Sequence, residues 1–150
     1  TIFRALTNAL FGTVVVWWLI GPPPAPLGWL FAFLAILGTW VLNFCITCLI
    51  GLSAFLVEDV SPYMWIYQKF VFILGGFLIP LSFYPPWLQT IAKALPFAAM
   101  IYGPSQLFVM PSLELFFNVL LMQFIWIAIL GSALVFSYNC GVTYLTVNGG

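Results

Sequence analysis

Apolar residues run along this chain in long tracts, separated by proline, glycine or short polar stretches, and the tract lengths predict the elements. Residues 2–20, 28–57, 62–81 and 113–137 each reach about 20 residues or more, the length at which an α-helix crosses a bilayer core. In the first tract Arg4 can snorkel to one interface, and Trp17-Trp18 suit the aromatic belt at the other. Gly21 and the prolines that follow it cannot be helical, because proline removes an amide donor and fixes φ, so they predict a stiff connection outside the hydrocarbon. The second tract carries no charge and exceeds the spanning length, so it is expected to tilt, kink or extend past the interface. Gly38, Gly51 and Ser53 are places for another helix to approach, and the Asn43 amide needs a partner, either a neighbouring helix or a cargo.

Between the second and third tracts stands the acidic cluster Glu58-Asp59, followed by Ser61 as an expected helix cap and Pro62 as the first helical position. This loop reads as a solvated turn or as a docking contact for a soluble partner. Tyr63, Trp65 and Tyr67 crowd the start of the third tract, and Lys69 follows two turns in. There its ammonium either snorkels back to the aromatic belt or faces a polar cavity or an acidic group of a neighbouring subunit. Gly75-Gly76 allow close packing.

The stretch 75–104 is too apolar for a soluble loop and too broken for a span. Pro80, Pro85 and Pro86 end the third tract, and Pro86 is placed to start a new helix. In that helix Trp87, Leu88, Ile91 and Leu95 share one face, with Gln89, Thr90 and Lys93 toward the other. About nine residues reach only some 14 Å, too short to span, so this piece lies along the interface or dips in. Pro96 stops it, residues 97–102 form a second short apolar piece, and Gly103-Pro104 are expected to turn the chain again. The predicted fold is an all-α membrane protein: four transmembrane helices and a broken re-entrant or interfacial segment, residues 85–104, before the last span.

Ser112 is expected to cap that last span, with Glu114 in its first turn and Asn118 and Gln123 as polar interruptions. The tail from Tyr138, with Val142, Tyr144 and Thr146 in alternation, reads as a loose end, and no repeat of 20–50 residues occurs. Composition sharpens the class. Hydrophobic residues make up 65% of the chain and charged ones 4%, against about a quarter charged in soluble domains. Three basic and three acidic residues balance to zero net charge, which leaves no basic patch for nucleic acid. Histidine is absent, so neither a metal set nor a nucleophile–base pair is apparent, and catalysis is not expected on this chain. Cys45 and Cys48 have a redox-motif spacing, but buried thiols in an apolar tract behave as small apolar side chains. Entry at Thr1 straight into an apolar tract, with no basic region and cleavage site, is expected of one piece of a longer membrane protein rather than of a signal peptide.

The order Lys69, Gly75-Gly76, Ile79-Pro80-Leu81, Tyr84-Pro85, Trp87-Leu88, Leu95-Pro96-Phe97, Tyr102-Gly103-Pro104 resembles the permease subunits of type-2 ATP-binding-cassette (ABC) transporters, a class of bacterial exporters. The ending Val147-Asn148-Gly149-Gly150 is similar to that of one bacterial subgroup. The resemblance is close over residues 62–111 and topological elsewhere. It implies that residues 1–150 are one transmembrane domain, the C-terminal part of a multi-pass permease in the inner or plasma membrane, with its last four spans. It implies an ATP-binding subunit that hydrolyses ATP with magnesium, a second permease subunit (homo- or heterodimer), and export of an unidentified lipophilic or amphiphilic cargo by alternating access. No cofactor or metal is expected on this chain itself. On that reading Pro80, Pro85, Pro86, Trp87, Ile91, Leu95, Pro96, Phe97 and Tyr102 belong to an outer gate. Glu58, Asp59 and Ser61 form the cytoplasmic docking loop, and Asn43, Lys69, Asn118 and Gln123 make intramembrane polar contacts. The competing expectation is a membrane scaffold that carries nothing itself.

Overall fold

A computed structural model of the chain describes residues 26–55 and 57–148, preceded by the separate positions 7, 10–12, 14, 15 and 18, all helical. The rest of the expected first span, with Arg4 and Trp17, and the proline connection at 21–25 lie outside the described residues. The described chain is helical, without strands: α1 (Pro26–Leu52), α2 (Ser61–Leu74), α3 (Pro86–Ala94), α4 (Pro96–Met100), α5 (Tyr102–Val109) and α6 (Leu113–Asn148). Short 3-10 turns occupy Ser53–Phe55 and Leu81–Phe83.

Helices α1 and α6 form the frame. Among the described residues they supply the two helices long and apolar enough to cross a membrane, Leu27–Phe55 and Leu113–Gly141. Only 17% and 11% of their most apolar stretches are buried within the chain. They run parallel. Phe31 stacks on Phe116 with ring centroids 4.4 Å apart, Ala35 meets Gln123, and Phe55 lies against Gly141. From the first of these contacts to the last, α1 advances about 36 Å, more than the hydrocarbon thickness.

The expectation of a third span over 62–81 is corrected. Helix α2 has 14 residues, about 21 Å of rise, and stops well before Pro80. Its end is a Schellman cap at Gly75-Gly76. Gly76 takes φ +75°, its amide donates to the Ile73 carbonyl at 3.2 Å, and the Phe77 amide donates to the Phe72 carbonyl at 3.2 Å. The apolar contact that accompanies this motif is Phe72 on Phe77, with centroids 5.2 Å apart. The helix start is also corrected: α2 begins at Ser61, with Val60 at the N-cap position and no side-chain cap, and the Asp59 carboxylate just before it accepts the Ser61 amide at 2.9 Å.

Beyond the cap the chain becomes three short helices, α3 to α5. Pro86 and Pro96 open the first two, where a missing amide costs nothing. Gly103-Pro104 do not turn the chain; they sit in the first turn of α5, where Gly103 lets the helix lie against Val119 of α6. The irregular segment therefore extends to Val109 rather than ending at 104. Ser112 caps α6 as expected, its hydroxyl accepting the Leu115 amide at 3.1 Å, with Glu114 in the first turn. The loose tail is not found, because α6 continues unbroken to Asn148.

Candidate functional site

The segment from Pro86 to Val109 packs against the frame and leaves it at the start of α1. Helix α5 leads back to the start of α1, where Trp29 meets Phe108 edge-on at 5.1 Å and Gly28 lies against the Leu107 and Phe108 carbonyls. Pro96, Ala98, Ala99 and Met100 at its turning point are buried. A helix of five residues cannot satisfy its own last carbonyls, and in a water-free interior other groups must do so.

Side chains of the frame supply those donors. The Gln123 Nε2 amide donates to the Ala99 carbonyl at 3.0 Å and to the Ala35 carbonyl of α1 at 2.8 Å. The Thr39 hydroxyl lies 3.0 Å from the Met100 carbonyl and 3.1 Å from that of Ala35, two acceptors for one proton. The Trp126 indole donates to the Ala94 carbonyl at the end of α3, at 3.1 Å. Gln123 is 1% exposed and ties α1, α4 and α6 together. Its amide can point only one way, since the reverse would set Oε1 against two carbonyl oxygens. Oε1 is then buried beside Gly38 with no hydrogen-bond partner among the described residues, and a Cβ at Gly38 would collide with it. Gln123 stands about 15 Å along α6 from Leu113, near half the thickness of a bilayer core.

The residues expected at the outer gate divide into two groups. Leu95, Pro96, Phe97 and Tyr102 pack inward: Phe97 stacks on Phe70 at 5.9 Å and Tyr102 joins the cluster around Leu81, Ala92 and Ala98. Pro80, Pro85 and Pro86 are exposed at the entry, while Trp87 (66% exposed) and Ile91 (48%) face outward. Helix α3 therefore turns much of its apolar stripe away from the bundle and packs through Ala92, which is fully buried. Gln89 folds back over the entry, its amide donating to the Tyr84 carbonyl at 2.9 Å.

The expected docking loop lies at the far end of α1 from this segment. Glu58, Asp59 and Ser61 do not touch the gate residues, and both carboxylates are exposed. Hydrogen bonds from the Ser61 hydroxyl and then its amide hold the Asp59 carboxyl below its ordinary pKa. Of the four polar residues expected inside the membrane, Asn43 accepts the Tyr67 hydroxyl of α2 at 2.7 Å, and Gln123 forms the node. Lys69 is exposed on α2. Asn118 lines a cleft of about 360 Å³, with Lys93, Tyr102 and Gln106, between α6 and the short helices α3 to α5. Among the described residues no group of three or more His, Cys, Asp or Glu side chains is placed to hold a metal ion.

Thr39 and Trp126 escaped sequence reasoning. A threonine or tryptophan in an apolar tract carries no sign of the carbonyl it will meet, and Gly38 was legible only as a close-approach position. No protein-family model, curated protein or solved structure matches the chain.

Proposed function

We propose that this chain is the permease part of an ATP-driven exporter of the type-2 ABC class, embedded in the inner or plasma membrane and paired with a second permease. The observation that carries the reading is the re-entrant segment Pro86–Val109, pinned by Gln123 and Thr39 while its α3 face, Trp87 and Ile91, turns outward. Such a segment closes one end of a helical frame without spanning it, which is what an outer gate requires. The acidic loop at the other end, Glu58 and Asp59, gives a soluble ATP-hydrolysing subunit a place to push, about 36 Å along α1 from the gate. The finer membrane topology belongs to this proposal: α2 alone is too short to span, and α2 together with the residues after its cap supplies a broken further crossing. Hydrolysis, with its ATP and magnesium, sits on the partner, and no reaction is assigned to this chain.

The test is purification of the intact protein from its native membrane with its partners retained. An ATP-hydrolysing subunit should co-purify, and Glu58→Lys with Asp59→Lys should lower its retention or uncouple its activity from transport. Co-purification of other membrane proteins without any ATPase would sink the exporter reading and leave a scaffold.

A further inference from the structure

We propose that the cleft between α6 and the re-entrant helices binds the phosphate headgroup of an amphiphile, with its acyl chain lying along α6. The inference rests on the membrane reading of α1 and α6 and adds a ligand class to it.

Three helices bring polar groups to this cleft: Lys93 from α3, Tyr102 and Gln106 one turn apart on α5, and Asn118 from α6. Among the described residues none of these four side chains has a hydrogen-bond or ion-pair partner, and no acidic side chain lines the cleft. Lys93, Tyr102, Gln106 and Asn118 therefore line a shared, mostly apolar space of about 360 Å³, at the small end of the range for ligand sites. That donor set suits a singly charged phosphate ester, which accepts several hydrogen bonds around one negative charge.

The rest of the lining is apolar and ordered. Leu115, Val119 and Met122 continue the α6 stripe that carries Asn118, and Ala98, Ala99 and Gly103 form a floor with little side-chain bulk. Asn118 stands about 8 Å along α6 from its start, and Met122 about 14 Å. Lys93 comes from the C-terminal end of α3, beside Ala94, whose carbonyl accepts the Trp126 indole of α6 at 3.1 Å.

The test uses the full protein in uncharged detergent micelles, titrated with short-chain phosphatidylglycerol, with the diacylglycerol of the same chains, and with inorganic phosphate. Binding is read by native mass spectrometry and by the shift in Tm. Phosphatidylglycerol should bind saturably at one site, and Lys93→Gln should weaken it about tenfold, the loss of one charge-assisted hydrogen bond. Asn118→Leu should also weaken it, and Lys69→Gln, on an exposed lysine outside the cleft, should not. If Lys93→Gln fails to yield monodisperse protein, Lys93→Arg (affinity kept) and Asn118→Leu (affinity lost) carry the comparison. Equal affinity for the diacylglycerol, equal loss with Lys69→Gln, or inorganic phosphate binding as tightly as the lipid would each overturn the proposal. Failure of the membrane reading is detected separately, by release of the protein from native membranes in alkaline carbonate.

Discussion

Replacing Gln123 with leucine removes the side chain that joins α1, α4 and α6 and should release the re-entrant tip before it unfolds anything else. The amide makes two short hydrogen bonds, to the Ala35 carbonyl at 2.8 Å and the Ala99 carbonyl at 3.0 Å, and a longer approach of 3.4 Å to the Thr39 hydroxyl. Ala35 keeps an acceptor role toward Thr39, whereas Ala99, in the last turn of a five-residue helix, loses its side-chain donor. Stranding one buried carbonyl costs about 1–3 kcal/mol, and interhelical hydrogen bonds in membrane proteins average about 0.6 kcal/mol each. Leucine has nearly the same length and removes the buried, unpartnered Oε1, which returns part of that cost. The net expectation is about 1–2 kcal/mol of lost stability. Amide exchange should rise at residues 97–101 and change little at the α1–α6 contacts near Phe31 and Phe116. Unfolding in micelles gives the first quantity and hydrogen exchange the second. Unchanged protection at 97–101 with stability within about 0.3 kcal/mol of the parent would refute the assignment of Gln123 as the tie, as would a uniform rise throughout the bundle.

Gly38→Ala places a methyl where Gln123 Oε1 lies and should cost about 1–3 kcal/mol in the same unfolding assay. Gly131→Ala, where an added Cβ meets nothing within 4 Å, should be neutral or stabilising by about 1 kcal/mol. Gly76→Ala forces alanine to φ +75° in the α2 cap and should destabilise by about 1–2 kcal/mol, with Gly76→Asn milder, both measured by thermal unfolding. Asp59 has its folded pKa lowered by Ser61, so its contribution is complete above the unfolded value of about 4 and fades as pH falls through the lower folded value. Asp59→Asn should therefore lower stability at neutral pH and converge with the parent in strong acid, as read by unfolding across the acid range.

Much of the helical plan was legible because local signals decide it. Pro86, Pro96 and Ser112 open helices where backbone chemistry allows little else, and the uncharged 28–57 tract forms α1 almost throughout. Gly75-Gly76 carried two messages, and only close packing was read from it; the positive φ at Gly76 ends α2 and shortens the third tract to 14 residues. The tail reads as a loose end in the sequence because polar residues and glycines interrupt the apolar tract after Ser137, with Val142, Tyr144 and Thr146 alternating. An established helix propagates through such residues at a few tenths of a kcal/mol each, and α6 runs on to Asn148. The outward face of α3 and the pairing of Gln123 with Ala99 were not legible. Both depend on which tertiary neighbour is present, and the partner is a backbone carbonyl that any residue would offer.

The claim that the segment Pro86–Val109 enters and leaves at one membrane face is tested most directly by labelling. Single cysteines are introduced by Trp87→Cys, Met110→Cys and Glu58→Cys after replacement of Cys45, Cys48 and Cys140, in sealed membranes of known orientation, and are probed with a membrane-impermeant thiol reagent. Positions 87 and 110 should label from one side and position 58 from the other. Labelling of 87 and 110 from opposite sides, or of all three from one side, would contradict the account.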